Sequence, residues 1–201
     1  MIIRNFGITL SQLTLEDIEL VRYWRNSKEI SNVMEYQKFI TEEEQKKWFH
    51  SLKPISDFYF LINYSGIKVG LIHTSQIIWE EKSADAGLFV WDKNYLGTHI
   101  PVLASLAMLD CFFENFGLEK YFAKVSRENS VAVRYNRALG FQLHEKSKIS
   151  SFDYYVLEKD NYLKASEKLR RFASTISSQK SQLKISSVFL TEIKKDRKSV
   201  V

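Results

Sequence analysis

The residues whose types and spacing suit chemistry in this chain lie mainly between positions 91 and 141. A six-residue loop at 94–99 (NYLGTH) contains Gly97 and leads into a long apolar run at 100–116, with Pro101 near its start. The apolar residues recur at helical spacing, and proline is favoured in a first helical turn. A glycine-containing loop that enters a helix leaves backbone N–H groups unpaired and aligned with the helix dipole. That arrangement suits a pyrophosphate.

A second group of polar residues follows the apolar run. Residues 121–126 alternate like a strand, and Asn129 and Gly140 suit the start and the end of a helix that lies between them. Tyr135 lies within this predicted helix and places a phenol on it. The two groups together predict a strand, loop, helix, strand, helix series with polar side chains near its junctions.

The elements that must position these residues are predicted by periodicity and turn residues along the rest of the chain. The order β-α-α-β-β-β-α-β-α-β indicates an α/β domain in which the central hairpin strands are antiparallel. Before the loop, the predicted elements are a strand at 2–10, a helix capped by Thr14 and Asp17, a helix that begins at Thr41, a hairpin of 57–64 and 67–78 about Ser65 and Gly66, and a strand at 83–91.

The order of these pieces resembles the acetyl-CoA-binding half of the GNAT superfamily of N-acetyltransferases. Members of that family show the pattern Asn-x-x-Ala-x-x-x-Tyr-x-x-x-Gly-Phe. The resemblance extends over about residues 2–159 and implies the GNAT fold, an α/β fold with a mixed, largely antiparallel twisted sheet flanked by helices, here with an extra basic tail. The residues that carry the pattern are Asn129, Ala132, Tyr135 or its neighbour, Gly140 and Phe141.

The resemblance implies acetyl-CoA as the cosubstrate and no metal ion. It implies that Asn129 contacts the pantetheine arm and that Tyr135 protonates the departing thiolate as a general acid. Backbone donors of the strand before the loop are implied to polarise the thioester. The residues thereby assigned to the cofactor are Phe89, Val90, Trp91, Gly97, Thr98, His99, Ile100, Asn129 and Tyr135.

The loop departs at both ends from the family pattern Arg/Gln-x-x-Gly-x-Gly/Ala. Asn94 stands first, where it cannot form a charge-assisted bond to phosphate, and His99 stands last, where close backbone approach is preferred. Gly97 is kept. Two interpretations follow: a functional loop with a weaker hold on CoA, helped by the Thr98 hydroxyl, or a module that has lost the cofactor. Backbone N–H groups survive side-chain changes, which favours the first.

Acetylation of an amine also needs a group that takes the ammonium proton. Asp85 occupies the place on its strand where many family members carry a glutamate base, and its shorter side chain favours action through water. His73, on the preceding strand, is the other candidate because its ordinary pKa lies near neutrality and that strand lines the acceptor side in the family. A structural role remains an alternative for both. Cys111 lies in the apolar run, which favours a packed thiol over a nucleophile.

The first two predicted helices bear on the acceptor. The sequence VRYWRN at 21–26 and the stretch at 40–49 resemble the amino-sugar N-acetyltransferases of the pseudaminic acid pathway, which acetylate an amine of a UDP-linked sugar. In that group the arginine of the Trp/Phe-Arg-Asn motif contacts the nucleotide sugar, so Arg25 is assigned to phosphate or nucleotide binding. Gln45 stands where that group often has histidine. The further residues predicted to line the acceptor site are Met34, Tyr36, Gln45, Ser75 and Trp91.

Arg25 and Asn26 have a structural interpretation as well, because a cation and an asparagine both suit a helix C-terminus. Ribosomal-protein and polyamine acetyltransferases share a related Arg-Asn helix end. The sequence therefore predicts an acetyl-CoA-dependent N-acetyltransferase that acts by direct attack in a ternary complex, with a small-molecule amine, most specifically a UDP-amino sugar, as acceptor. The alternatives are a protein N-terminal or polyamine acetyltransferase and, in another class, an inactive GNAT-like binding module.

Composition sets the remaining bounds on this chain of 201 residues. One cysteine argues against a disulfide scaffold, no apolar run approaches the ~20 residues of a membrane span, and the N-terminus lacks a signal-peptide pattern. A cytoplasmic enzyme is therefore expected. Residues 1–160 have the length and apolar content of one domain.

The basic charge lies in a serine- and lysine-rich extension predicted from residue 161 onward. Residues 165–201 hold nine Lys and Arg against three acidic residues, a net charge of +6, whereas the whole chain carries +5. The extension is expected to be helical or disordered, either solvated or in electrostatic contact with a membrane surface or a partner. Few aromatic residues interrupt it, so no nucleic-acid partner is predicted. The sequence leaves the oligomeric state open.

Overall fold

The computed structural model describes residues 1–176 and 184–186. Its strands form one sheet in the order β7-β8-β6-β5-β4-β3-β2-β1-β9, and every neighbouring pair is antiparallel except β5 and β6, which are parallel. The sheet is therefore mixed and largely antiparallel, as predicted. The strands are β1 (Ile2–Asn5), β2 (Ile8–Gln12), β3 (Phe58–Tyr64), β4 (Ile67–Ile78), β5 (Ser83–Val90), β6 (Lys120–Ser126), β7 (Gln142–Glu145), β8 (Phe152–Glu158) and β9 (Lys184–Ser186).

Two helices begin at residues whose side chains cap them, Thr41 and Asn129, whereas Asp17, at the predicted start of the first helix, forms no side-chain cap hydrogen bond. The Thr41 hydroxyl accepts from the Glu44 N–H and the Glu44 carboxylate accepts from the Thr41 N–H, which is a complete capping box. Gly140 ends its helix with φ of 103°. The helices are α1 (Ile18–Arg25), α2 (Lys28–Ser31), α3 (Glu42–Ser51), α4 (Ile100–Asp110), which continues as a π-helical turn (Cys111–Asn115), α5 (Ser130–Leu139) and α6 (Lys159–Ile176).

The prediction of a single first strand at 2–10 is wrong. Phe6 and Gly7 both have positive φ, 51° and 76°, so the chain turns there, and β1 pairs with β2 as a hairpin. A two-residue turn with φ above zero at both positions matches the twist of antiparallel strands. Ser65 and Gly66, with φ of 49° and 81°, form the equivalent turn between β3 and β4, as predicted.

Two apolar clusters pack the helices against the two opposite faces of the sheet. The larger cluster joins the sheet to α4, α5 and α6 and includes fully buried Leu106 and Phe112. The smaller cluster lies under α1 and α3. Its buried members are Leu13, Ile18, Val21, Leu61, Leu71 and Trp91.

The parallel pair β5 and β6 separates after three residues. Ser83, Ala84 and Asp85 have partners on β6, whereas β5 continues alongside β4 as far as Val90. Residues 86–90 therefore have a partner strand on one side only among the described residues. We call the gap between residues 86–90 of β5 and the diverging part of β6 the wedge. The loop before α4 begins where β5 leaves the wedge.

The predicted extension from residue 161 is a packed helix over its first part. Residues 161–176 belong to α6, in which Tyr162, Ser166 and Ala173 are at most 1 % exposed. The solvated interpretation is therefore wrong for this part of the extension, because an apolar stripe of α6 belongs to the large core. The basic and serine-rich remainder lies outside the described residues, apart from β9. Within the described residues no helix is both long and apolar enough to cross a membrane.

Candidate active site

The loop at 92–99 and the first turn of α4 present backbone donors. Among the described residues, the N–H groups of Gly97, His99 and Val102 have no hydrogen-bond partner. Pro101 follows in the first turn and has no N–H to satisfy. Gly97 has φ of 79°, a left-handed conformation that favours glycine. Free N–H groups at a helix N-terminus are the physical requirement for holding a phosphate, so the residues present fit the pyrophosphate of CoA.

The side chains of the loop are occupied differently from the prediction. The Thr98 hydroxyl donates to the Tyr95 carbonyl at 2.7 Å and accepts from the Ile100 N–H at 3.3 Å. It therefore stabilises the loop and has no proton left for a phosphate oxygen. His99 precedes α4, and its ring contacts that of Tyr64 edge-on at 6.3 Å. The predicted role of His99 consequently depends on its backbone N–H. The Thr98 N–H also donates to the Tyr95 carbonyl, at 3.2 Å, so neither donor of Thr98 is free for the cofactor, which argues against its predicted role.

Asn129 caps α5 and keeps a free donor. Its Oδ1 accepts from the Ala132 N–H at 2.9 Å, and its Nδ2 has no partner among the described residues. The cap and the predicted cofactor contact use different atoms of one amide. Both roles are therefore compatible with this geometry.

Tyr135 lies against α4. Its hydroxyl donates to the Pro101 carbonyl at 2.9 Å and lies 2.6 Å from the Ser105 Oγ. Burial raises the pKa of Tyr135 above its ordinary value. Counting the family pattern forward from Asn129 or back from Gly140 reaches Asn136, one residue after the tyrosine. The assignment of Tyr135 as general acid stays a prediction, and the observed hydrogen bonds join α5 to α4.

The two candidate bases share one face of the sheet. The cross-strand pairs Tyr59 with His73, and Ser75 with Asp85, place all four side chains on the face that carries Leu61 and Leu71, under α1 and α3. We call Tyr59, His73, Ser75 and Asp85 the His73 cluster. The His73 ring stacks on Tyr59 at 4.8 Å, and its Nδ1 lies 3.0 Å from the Ser75 Oγ.

Burial shifts the two candidate bases in opposite directions. It lowers the pKa of His73 to about 4, so this imidazole is neutral near pH 7. It raises the pKa of Asp85, whose carboxylate has no hydrogen-bond partner among the described residues. Burial therefore makes the Asp85 carboxylate a stronger base than an exposed aspartate, and the His73 imidazole a weaker base than an exposed histidine.

The end of β5 divides the predicted cofactor strand into three different environments. Phe89 is half-buried on the α1 side, and Val90 is buried in the large core. Trp91 is 5 % exposed, donates from its ring to the Lys68 carbonyl at 2.9 Å, and its N–H is bound to the Val69 carbonyl at 3.0 Å. The Trp91 side chain is therefore part of the small core and its N–H is engaged by β4, which argues against its predicted roles.

Two buried side-chain donors near α1 and α3 have no partner. Arg25 Nη1 and Gln45 Nε2 are the buried side-chain nitrogens without a hydrogen bond among the described residues. Arg25 ends α1, lies 5.9 Å from the Phe89 ring centroid and forms no ion pair in the described structure. Burial lowers its pKa. Gln45 is 4 % exposed and lies on the inward stripe of α3 with Trp48 and Phe49.

Asn26 explains why these helix ends are held together. Its side chain accepts from the Ile40 N–H at 2.8 Å and donates to the Ile40 carbonyl at 2.9 Å. This pair of bonds joins the end of α1 to the residue before the α3 cap. The Arg25 guanidinium of this Arg-Asn motif thus contacts the Phe89 ring but has no hydrogen bond or ion pair among the described residues, whereas the Asn26 amide has two hydrogen bonds to Ile40.

The segment between α2 and α3 carries the other predicted acceptor residues. Met34 is half-buried and Tyr36 is exposed. Glu35 forms an ion pair with Lys124 of β6, so this segment reaches across to the far side of the wedge. Ser75, in contrast, is buried in the His73 cluster and is 2 % exposed.

A cavity of about 410 Å³ lies beside Asp85 at the end of the β4–β5 hairpin. Its lining residues include the acidic Asp57, Glu81 and Asp85 and the basic Lys53. The Asp57 carboxylate accepts from the N–H groups of Lys53 and Gln76. No group of three or more His, Cys, Asp or Glu side chains in the described ranges is arranged to hold a metal ion.

Two members of the site were missed by sequence reasoning. Tyr59 forms the stacking partner of His73, and Gly87 lies opposite it on β5. A Cβ at Gly87 would lie 2.3 Å from His73 Nε2, so only glycine leaves room for the ring in this position. Counting back from the two-residue turn would pair Tyr59 with Ile72, on the other face of the sheet. A register shift between Ile62 and Asn63 places Tyr59 opposite His73 instead, and alternation gave no signal for it.

Comparison with known proteins identifies the family. Residues 8–142 match the acetyltransferase (GNAT) domain family, whereas no curated protein matches the sequence significantly. The fold is similar to a domain from Methanocaldococcus jannaschii, with 22 % identity, a TM-score of 0.67 and coverage of 77 % of this chain and 99 % of that one. It is also similar to spermidine N-acetyltransferase from Vibrio cholerae in complex with CoA and spermine, with 19 % identity, a TM-score of 0.65 and coverage of 78 % and 98 %.

A third structure is the nucleotide-linked sugar GNAT FdhC, with 18 % identity, a TM-score of 0.71 and coverage of 86 % of this chain and 98 % of that one. At these identities the structural matches establish the fold, and the family match establishes membership. Together with the free N–H groups before α4, the wedge and the capped α5, the match over about two thirds of the sequence shows that this chain belongs to the GNAT family and is an acetyl-CoA-dependent acetyltransferase.

Proposed function

We propose that this enzyme acetylates the primary amine of a nucleotide-linked amino sugar. The observation that carries the proposal is a pair of buried donors, Arg25 Nη1 and Gln45 Nε2, that have no hydrogen-bond partner in the described ranges. A buried donor without an acceptor costs about 1–3 kcal/mol, so two on adjacent helices favour a ligand rich in acceptor oxygens. A sugar nucleotide supplies such oxygens on its diphosphate, its sugar and its base.

The charge of Arg25 supports a diphosphate in particular. The guanidinium is desolvated and has the Phe89 ring as its neighbour, with no carboxylate within ion-pair distance in the described structure. Guanidinium groups bind phosphate oxygens through two parallel N–H bonds, which are stronger than bonds between neutral groups. The similarity to a nucleotide-linked sugar GNAT is consistent with this acceptor class.

The His73 cluster receives the amine in this proposal. Asp85 takes the ammonium proton, directly or through water, because burial raises its pKa and no donor among residues 1–176 and 184–186 binds its carboxylate. Neutral His73, which is oriented by its contact with the Ser75 Oγ, is the alternative proton acceptor, although burial makes it a weaker base than an exposed histidine. Acetyl-CoA, when bound, supplies an activated acyl carbon. The backbone before Trp91 and the N–H groups of Gly97, His99 and Val102 would hold it.

Tyr135 has two assignments in this mechanism. As a general acid it would protonate the departing thiolate, which requires the proton now donated to Pro101 to be redirected. As a positioning residue it would fix α5 against the first turns of α4 through Pro101 and Ser105. We favour the second because a phenol with a raised pKa and a buried acceptor retains its proton.

A polyamine is the second candidate acceptor, and the cavity beside Asp85 favours it. The acidic residues Asp57, Glu81 and Asp85 line this cavity, where a second ammonium group of a polyamine would be attracted. The similar enzyme from Vibrio cholerae is a spermidine N-acetyltransferase. The two candidate acceptors carry opposite charges: Arg25 favours an anionic acceptor, whereas the cavity favours a cationic one.

The decisive experiment compares acceptors by release of the CoA thiol. The panel contains UDP-linked amino sugars, the same amino sugars without the nucleotide diphosphate, spermidine and a basic peptide. We expect kcat/KM for a UDP-amino sugar to exceed that for its free sugar by about 100-fold, the equivalent of about 2.7 kcal/mol of diphosphate binding. Equal use of both sugars, or preferential use of spermidine, would refute the proposal.

A variant ties that result to the structure. Arg25→Met keeps an apolar stem against Phe89 and removes the charge, so the KM for the UDP-amino sugar should rise about 30-fold while that for the free sugar is unchanged. Arg4→Met is the matched control, because Arg4 is exposed on β1. An equal loss with both sugars would show that Arg25 stabilises the helix end only.

A further inference from the structure

The C-terminal helix α6 packs along α4, the helix whose N-terminus carries the cofactor loop. Tyr162, near the start of α6, donates to the Asp110 carboxylate at 2.5 Å and contacts the Leu106 carbonyl at 3.4 Å. Arg170 binds both oxygens of Asp110, one of them at 2.7 Å. Asp110 is 3 % exposed, so a buried carboxylate of α4 is satisfied by two residues of α6.

This arrangement fixes α6 in position more firmly than apolar packing alone. A buried carboxylate without partners is strongly destabilising, and bidentate binding by arginine has a narrow range of geometries. The Arg170 guanidinium also lies 5.5 Å from the Tyr162 ring centroid. The last turns of α6 are therefore held at a defined distance from α4.

From this anchored position α6 reaches the cofactor loop. The Phe172 ring contacts the His99 ring edge-on at 6.5 Å, and His99 in turn contacts Tyr64 at 6.3 Å. Tyr64 contacts Tyr95, inside the loop, at 5.7 Å. The histidine that replaces the small residue of the family pattern is thus held between β3 and α6.

We propose that α6 positions the cofactor loop, with Phe172 and His99 as the contact through which it acts. The inference rests on the proposed role of the loop in holding the CoA pyrophosphate. The loop has lost its basic first residue and its small last residue, so its affinity depends on the arrangement of backbone N–H groups. Holding those groups in the binding geometry before the ligand arrives reduces the conformational entropy lost on binding.

Phe172 is a positioning residue in this proposal. It is 52 % exposed, and its truncation leaves the core of α6, with Tyr162 and Ala173, unchanged. An aromatic pair of this kind contributes enough to change CoA affinity by about fivefold. Because the effect acts on binding and not on the reacting atoms, it should appear in KM for acetyl-CoA and in the dissociation constant of CoA, with kcat at saturation unchanged.

The test uses the full chain and two readouts. Calorimetric titration with CoA and hydrogen exchange of residues 92–102 without ligand are compared for the wild type, Phe172→Ala and the control Leu163→Ala. Leu163 is 46 % exposed on the same helix. We expect Phe172→Ala to weaken CoA binding about fivefold and to speed exchange in the loop, whereas the control should do neither.

A third variant tests the contact itself. His99→Ala should weaken CoA binding at least as much, because it removes the contact with Tyr64 as well. The double variant with Phe172→Ala should be no weaker than His99→Ala alone, because the contact between the two rings is already absent there. If the wild type binds CoA and Phe172→Ala binds it equally well with unchanged loop exchange, the positioning role is refuted and the proposed function stands. Failure of the wild type to bind CoA would instead refute the proposed role of the loop.

Discussion

The cofactor half and the acceptor half of this site differ in how their polar side chains are satisfied. Around the loop and α5, the side chains of Thr98, Trp91 and Tyr135 have hydrogen-bond partners within the protein, and the free donors are mainly backbone N–H groups. Under α1 and α3, Arg25 Nη1 and Gln45 Nε2 are buried without hydrogen-bond partners in the part of the chain that the structure describes. The free backbone donors of the cofactor half suit the same cosubstrate throughout the family. The unpaired side-chain donors of the acceptor half suit one particular acceptor.

This difference has a physical reason. Backbone donors are fixed by the fold and tolerate side-chain change, so they suit a cosubstrate that a whole family shares. Unpaired side-chain donors lower the stability of the free protein and are satisfied only by a ligand with matching acceptors. Removal of an unpaired donor in the acceptor half should therefore have opposed effects on stability and on binding, whereas substitutions in the cofactor half should have parallel effects.

The largest effect is expected from Gly87→Ala, in the acceptor half. The new Cβ would lie 2.3 Å from His73 Nε2, so the ring must leave its place between Tyr59 and β5. We expect turnover to fall about 100-fold or more, since displacement of a proton acceptor by about 1 Å has that effect, with a loss of about 1–3 kcal/mol in stability. Steady-state kinetics and urea denaturation measure the two quantities.

Two control variants separate the steric effect of Gly87→Ala from the loss of a proton acceptor. Gly66→Ala places a Cβ with no neighbour within 4 Å at φ of 81°, so about 1 kcal/mol of stability should be lost with turnover unchanged. Adding His73→Ala to Gly87→Ala should restore stability, because the ring is removed. Full recovery of turnover in that double variant would exclude His73 as a needed proton acceptor.

Next in size is the pH dependence of stability that His73 confers. Its folded pKa of about 4 lies below the ordinary value of 6.5, so the unfolded chain binds the proton first as the pH falls. The contribution of His73 to stability is therefore present above pH 6.5 and is lost as the pH falls from 6.5 toward 4. The loss at pH 5 is at most about 2 kcal/mol.

Denaturation at pH 7.5 and pH 5 of the wild type and of His73→Gln measures this loss. The variant should lose less stability over the same range, because its amide does not titrate. Asp85, whose pKa is raised in the fold, acts in the opposite direction and is common to both proteins. Identical pH profiles would mean that His73 is exposed to solvent in the free enzyme.

The sequence predicted the helices, turns and reactive groups of this site better than it predicted which protein groups each side chain contacts. The loop, Gly97, the Asn129 cap and the Gly140 stop were predictable because turn and cap residues act locally. The engagement of the Trp91 ring was not predictable, since its acceptor, the Lys68 carbonyl, lies 23 residues away on β4. An aromatic residue at a strand end is compatible with both a ligand wall and a core position.

The same limit applies to Tyr59 and to the first hairpin. Tyr59 belongs to the site because the register between β3 and β4 places it beside His73, and alternation alone does not fix register. The turn at Phe6 and Gly7 was missed because phenylalanine rarely adopts positive φ, although glycine supplied half of the signal. Local sequence signals predicted the structure reliably where a residue type is typical of a single backbone feature.

Gln45→Leu should show the opposed effects that define the acceptor half. Removing the unpaired amide of a residue that is 4 % exposed should stabilise the free protein by about 1 kcal/mol. The same change should raise the KM of the nucleotide-sugar acceptor about tenfold, the equivalent of about 1.4 kcal/mol. Thermal denaturation and acceptor kinetics test the two signs, and a stabilised variant with unchanged acceptor KM would assign Gln45 to packing.

Tyr135→Phe tests the corresponding statement about the cofactor half. Loss of the hydrogen bonds to Pro101 and Ser105 should cost about 1 kcal/mol of stability, and the KM for acetyl-CoA should rise in parallel while kcat is retained. Asn136→Ala is the comparison variant, because position 136 is where the spacing of the family pattern places the tyrosine. A large fall in kcat for Tyr135→Phe with stability unchanged would instead establish the general acid predicted from the sequence.

The smallest expected effect concerns the ion pair between Glu35 and Lys124, which joins the acceptor segment to the far side of the wedge. Both side chains are substantially exposed, 57 % and 31 %, so Glu35→Gln should change stability by no more than about 0.5 kcal/mol, and added salt should remove the difference. Glu29→Gln, which breaks the exposed pair with Lys93, is the matched control on the near side. If Glu35→Gln alone changes the acceptor KM several-fold at low salt, the segment must be held across the wedge for the acceptor to bind. The Glu35–Lys124 ion pair would then couple the cofactor half to the acceptor half while contributing almost nothing to stability. The difference between the two halves in how their polar groups are satisfied would then apply to the free enzyme only.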